Sequence, residues 1–124
     1  MQMSSQANLL THDVTVGEGR PYPLTVRTYS RGVMFNVGKE IIILDITYDQ
    51  KELDRVVSFA QNANGVDGPL RLVSELGNIV LFWEKDILSY NAYYRDIPYG
   101  PFRLTKSEQY ALLEFIREQV DRLR

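Results

Sequence analysis

The chain repeats one pattern: several short strand-like segments, then one amphipathic helix. The first copy runs from about Thr11 to Ala63 and the second from about Leu70 to Leu123. In both, a hydrophobic residue and a threonine stand just before the helix, Ile46-Thr47 in the first and Leu104-Thr105 in the second. Alternating apolar residues make half-buried strands and a 3.6-residue period makes a helix, so this order restricts the fold class. The expectation is a single α+β domain over residues 11–124. It comprises two strand-strand-strand-strand-helix halves, about 11–63 and 70–123, whose antiparallel sheet or sheets carry both helices on one side. The opposite sheet surface is left for function.

Composition narrows the class further. A chain of 124 residues with 44% hydrophobic and 24% charged residues is long enough for a real core and ordinary for a soluble domain. No apolar run approaches the roughly 18 residues of a membrane span, so no membrane association is expected. Residues 1–10 read as a disordered polar tail, without the basic start and apolar stretch of a signal peptide. The absence of cysteine excludes disulfides, thiolate metal sites and cysteine nucleophiles, and fits a cytoplasmic location. A net charge of −2 argues against strong non-specific binding to polyanions.

Local signals place the elements. Ala111, Leu112, Phe115, Ile116, Val120 and Leu123 recur at helical spacing, and Thr105 with Glu108 forms a capping-box signature. A shorter helix follows Asp49 as N-cap, with Leu53, Val56, Val57 and Ala60 on one face. Asn62 to Pro69, rich in glycine and asparagine, is the joint between the halves. Tight turns are expected at Arg31-Gly32, Gly38-Lys39, Gly77-Asn78 and Lys85-Asp86. They put Leu24, Val26, Thr28, Val33, Phe35, Val37, Ile42, Leu44 and Ile46 on one face of the first half. In the second half they set Leu70, Leu72, Ser74, Leu76, Ile79, Leu81 and Trp83 inward, with Leu88, Tyr90, Ala92 and Tyr94, and put Arg71 opposite Glu84.

Signals of catalysis are sparse. His12 stands alone beside Asp13, with no second histidine or cysteine to complete a catalytic or metal constellation. Asp45, Asp49, Glu52 and Asp54 cluster at the start of the shorter helix, where carboxylates could hold a divalent ion but also suit the helix dipole. Gly17-Glu18-Gly19 leads into Arg20-Pro21 rather than a helix, so it cannot cradle a phosphate. The expectation is a protein that is not an enzyme and uses no cofactor or metal.

The inferred outer surface is unusual for a bare sheet. Tyr29, Met34, Ile41, Ile43, Val73, Val80, Phe82, Ile87 and Tyr93 are interleaved there with Arg27, Arg71, Arg95 and Arg103. Aromatic faces that stack unpaired bases, and cations that follow a backbone, are what single-stranded nucleic acid requires. Arg27, Arg71, Arg95 and Arg103 are the candidate phosphate contacts. Tyr29, Phe82 and Tyr93 are the candidate stacking platforms.

The stretch Gly100-Pro101-Phe102-Arg103-Leu104-Thr105, followed by Ser107, Glu108 and the helix from Tyr110 to Val120, resembles a group of nucleic-acid binders built from four strands and a helix. The group includes the Whirly proteins, PUR-repeat proteins and a small transcriptional-coactivator type of single-strand binder. The doubled order resembles the two-repeat members over most of residues 11–123. That resemblance implies single-stranded DNA or RNA binding on the sheet, in a homo-oligomer packed through helices. The alternative is a protein-binding module, such as an immunity, adaptor or secretion-chaperone-like protein. There the same apolar face docks a protein partner or a second copy.

Overall fold

The computed structural model describes residues 10–62 and 68–124. The tail expected at residues 1–10 lies outside these except for Leu10, and residues 63–67 of the expected joint lie outside them too.

Among the described residues, eight strands and two helices follow the doubled order. β1 (Leu10–Val16), β2 (Leu24–Tyr29), β3 (Gly32–Val37) and β4 (Glu40–Asp45) form one antiparallel meander and lead into α1 (Gln50–Gln61). A second meander contains β5 (Leu70–Val73), β6 (Gly77–Glu84), β7 (Ile87–Tyr94) and β8 (Ile97–Arg103). It leads into α2 (Lys106–Phe115), which continues through a wider turn at Ile116–Val120 and a tighter one at Asp121–Leu123. The fold is α+β with two separate four-stranded sheets.

Each sheet turns one side inward. In the first, Leu24, Val26, Val33, Phe35, Val37, Ile42 and Leu44 are buried, and the alternate positions, Gly32 apart, are not. In the second, Leu70, Leu72, Ile79, Leu81, Leu88, Tyr90 and Ala92 are buried. Both inner faces and both helices meet in one continuous core. Each such Leu, Val or Phe contributes about 1.5–3 kcal/mol of transfer free energy, so one shared core binds the halves more strongly than any surface pair could. The helices also cross between halves: α1 touches β5, and α2 touches β1. Arg117 Nε donates to the Ala60 carbonyl at 2.9 Å, and Arg124 pairs with Asp54 at 2.6 Å, tying the end of the second helical segment to the first.

Two expected turns sit elsewhere. The β2–β3 turn is Ser30-Arg31, with Tyr29 opposite Gly32, one residue earlier than expected. The β5–β6 turn is Glu75-Leu76, closed by Ser74 N–H to Gly77 O at 2.9 Å, so Gly77-Asn78 opens β6 instead. Arg71 therefore faces Val80, not Glu84, and Leu76 is exposed rather than inward. The physical reason is close approach. A Cβ on Gly32 would collide with the Leu44 carbonyl oxygen, and one on Gly77 with the Tyr93 carbonyl oxygen. These glycines admit a neighbouring backbone rather than a positive φ. The slips are even-numbered, so the apolar faces survive them. Turns at Gly38-Lys39 and Lys85-Asp86 stand where expected, the latter with Lys85 at φ 58°.

Candidate functional site

The outward surface is divided between the two sheets. On the first, cross-strand register aligns Asp13, Arg27, Met34 and Ile43 in one row and Thr15, Thr25, Asn36 and Ile41 in the next. Tyr29 lies beyond them, its hydroxyl donating to Met34 Sδ at 3.9 Å. Arg27, Tyr29 and Met34 are half-buried, whereas Ile41 and Ile43 are 49% and 64% exposed. An open cleft of about 280 Å³ between Tyr29, Arg31, Gly32, Ile43 and Asp45 borders this patch. The N–H of Thr47 holds the Asp45 carboxyl below its ordinary value, with Arg31 4.0 Å away adding to the effect.

On the second sheet, one row holds Val73, Asn78, Tyr93 and Pro98; the next holds Arg71, Val80 and Asn91; a third holds Phe82, Ser89 and Arg103. Arg71 and Arg103 are exposed, Tyr93 is 42% exposed and Phe82 is half-buried. Arg71 Nη1 donates to Asn78 Oδ1 at 3.3 Å, which leans the guanidinium over the sheet toward the Tyr93 row. Val80 and Ser89 occupy outward register positions yet are buried, because each is a short side chain flanked by longer ones.

The expected candidates thus separate. Arg71, Phe82, Tyr93 and Arg103 share the outer face of the second sheet, while Arg27 and Tyr29 share that of the first. Arg95 belongs to neither face. It sits in the Arg95-Asp96 turn at φ 49°, with its guanidinium 5.5 Å from the Tyr94 ring centroid. Trp83 is half-buried and packs against the core, its ring 6.4 Å from that of Phe59.

The acidic residues near α1 serve local structure. Asp49 stands at the N-cap position, but its carboxylate turns back to accept the Asp45 N–H at 2.8 Å instead of capping the helix. Glu52 pairs with Arg55, and Asp54 with Arg124. Among the described residues, no three His, Cys, Asp or Glu side chains come together to hold a metal ion.

Two arrangements between the halves were not visible in the sequence pattern. Glu108 completes the capping box with Thr105 and also accepts the Gly17 N–H at 2.6 Å, while Arg20 approaches to 3.2 Å. Arg20 further donates to the Arg103 carbonyl, so the Gly17 to Arg20 loop is fastened to the start of α2. Glu40, 1% exposed, accepts a hydrogen bond from Ser74 across the two halves. The capping signature marked Glu108, but nothing local marked its partner in β1–β2.

Compared with protein-family models, with curated proteins and with solved structures, the chain matches none.

Proposed function

We propose that this protein binds single-stranded nucleic acid on the outer face of its second sheet without catalysing a reaction. The observation that carries the reading is the placement of Arg71, Tyr93, Phe82 and Arg103 on that one face, in successive rows. Rows on one face repeat every ~6.8 Å, a spacing an extended strand of nucleotides can follow. Two arginines there meet one glutamate, Glu84, whereas on the first sheet Arg27 is accompanied by Asp13 and Asp45. The second sheet is therefore the better electrostatic match to a phosphate backbone. The resemblance to four-strand-and-helix single-strand binders points the same way.

Anisotropy of labelled oligo-dT and of a mixed-sequence RNA, titrated at low and moderate salt, tests this. The expected result is binding that weakens with salt, with a log–log slope of about −1.4 for two displaced counterions on a single strand. Arg71→Ala and Arg103→Ala should each flatten that slope by about 0.7. Absence of binding at low salt removes the reading.

A second reading, a protein-docking module, is favoured by the first sheet. Ile41 and Ile43 are adjacent same-face residues on an edge strand, and both are among the most exposed large apolar side chains described. Contiguous apolar exposure of this kind marks contact surfaces. Dilute protein should enhance the fluorescence of an anilinonaphthalene sulfonate dye, and Ile43→Asp should abolish the enhancement. Wild-type protein that leaves the dye dark would count against it.

A further inference from the structure

The four sheet edges are not protected alike. β8 carries Pro98 and Pro101, which cannot donate to an added strand. β5 is four residues long, and the Arg71 carbonyl accepts from Arg55 Nη2 at 3.1 Å. β1 lies against α2. β4 touches β6 and β7 but carries no proline and no bulge, and isoleucine stands on both of its faces.

The open backbone groups of β4 can be identified. Ile46 N–H donates to the Arg31 carbonyl at 2.8 Å, and the Gly38-Lys39 turn pairs Val37 with Glu40. Even-numbered residues of β4 therefore direct their N–H and C=O toward β3. Odd-numbered ones point away. At Asp45 both outward groups are taken by Asp49: its carboxylate accepts the Asp45 N–H, and its own N–H donates to the Asp45 carbonyl at 2.9 Å. At Ile41 and Ile43 the outward groups have no hydrogen-bond partner among the described residues. An open cleft of about 340 Å³, lined by Lys39, Ile41, Ser74, Glu75, Leu76 and Tyr94, runs beside the start of the strand.

We propose that β4 pairs antiparallel with β4 of a second copy about a two-fold axis at Ile42, joining the first sheets of two protomers into one. This names the occupant of the apolar patch, so it rests on the protein-docking reading and not on the nucleic-acid one. The strand is its own complement in this register. Ile41 falls opposite Ile43 of the second copy, and each such pair exchanges both N–H···O=C bonds through the groups left open. On the outer face, Ile41 and Ile43 meet Ile43 and Ile41 of the second copy, and the exposed Lys39 turn of each copy comes beside Asp45 of the other, lysine near aspartate at each end. Any odd-numbered shift would set the open groups against filled ones. A slip of two residues would separate Lys39 from Asp45 and leave an isoleucine unmatched.

The contact is short, so the dimer is weak and must be read across concentration. Sedimentation equilibrium of the full chain should move from 14.4 kDa toward twice that mass between about 10 µM and 1 mM. Ile43→Pro removes an edge-facing donor that the protomer does not use, and should leave a monomer throughout. Lys39→Glu alters only an exposed turn side chain and should weaken association at least fivefold; the Lys39→Glu/Asp45→Arg double variant should regain it. Circular dichroism and Trp83 emission verify folding of each variant. A wild-type chain at 14.4 kDa over the whole range overturns the proposal, as does a dimer that survives both Ile43→Pro and Lys39→Glu. If the monomer still enhances the dye described above, the docking patch stands while the dimer falls; if the dye stays dark as well, both fall.

Discussion

The carboxylate of Glu40 on β4 accepts a hydrogen bond from Ser74 Oγ at 2.5 Å, linking the first sheet to the β5–β6 turn of the second. Glu40 is 1% exposed, and its other oxygen, Oε2, has no hydrogen-bond partner among the described residues. A Cβ at position 77 would come within 2.6 Å of that oxygen, so Gly77 is shaped by the glutamate as well as by the Tyr93 backbone. A buried acid with a single partner is costly to strand.

Ser74→Ala should therefore lower stability by about 1.5–3 kcal/mol, more than a half-buried serine would normally cost. Glu40→Leu removes the need for the partner and should cost less than Ser74→Ala, or nothing. Urea unfolding followed by Trp83 emission measures both. Equal losses in the two variants would show that Glu40 packs rather than pairs.

Tyr90 links the halves on another side. Its hydroxyl donates to the Tyr22 carbonyl at 2.9 Å, its ring lies 5.3 Å from that of Phe102, and Gly17 approaches it so closely that a Cβ there would overlap the phenol. Burial pushes the Tyr90 hydroxyl up to about 12, with Arg20 opposing and Glu108 reinforcing the shift. A raised value means the folded state holds the proton more tightly. The resulting stability is complete below the ordinary value of 10 and is lost as pH rises toward about 12. Tyr90→Phe should cost roughly 1–2 kcal/mol at neutral pH and lose the steep alkaline decline above pH 10. Gly17→Ala, with φ at +74° and no room for a methyl group, should be more damaging than Tyr90→Phe.

The two aromatic candidates on the second sheet should behave differently. Tyr93 is 42% exposed, so Tyr93→Ala should reduce single-strand affinity by the ~1–3 kcal/mol of one stacked base while leaving the melting temperature within a degree or two. Phe82 is half-buried beside buried Ser89, so Phe82→Ala should lower both affinity and stability. Paired anisotropy and thermal melts separate the two effects. A Tyr93→Ala variant that binds like wild type would remove Tyr93 from the interface.

What could be read from the sequence follows from what is local. The apolar alternation of Leu24, Val26, Val33, Phe35, Val37, Ile42 and Leu44 declares an inward face because parity along a strand is unaffected by even slips of register. Thr105 and Glu108 declare a helix start because both partners lie within one turn. Gly32 and Gly77 mislead because a glycine that admits a neighbouring backbone looks the same in sequence as one that turns a hairpin. The outer surface was legible only as a set of residues. Its division into two faces depends on β4 and β5 not pairing, and the departure of Arg95 depends on a turn without glycine. Contacts such as Glu40 with Ser74 and Gly17 with Glu108 span the two halves, and no local spacing announces them.

Glu108 supplies an acid-side test of how that loop is held. Burial pushes its carboxyl up, but the N–H groups of Thr105 and Gly17, with the Arg20 guanidinium, outweigh this and hold it below the ordinary value of 4.5. The carboxylate form is favoured by folding, so its contribution is present above pH 4.5 and is lost as pH falls through the lowered value. Asp45, held down by the Thr47 N–H, adds a decline of the same sign. Glu108→Gln keeps an oxygen for the Thr105 N–H and stays compatible with the helix start, but carries no charge for Arg20. Its melting temperature should lie below that of the wild type at pH 7 and converge with it as pH drops below the lowered value, because both chains are then neutral at this position. The residual slope belongs to Asp45 and the other carboxylates. Parallel melting curves from pH 7 to pH 2.5 would mean that the Gly17 to Arg20 loop is held by shape alone, without help from the charge.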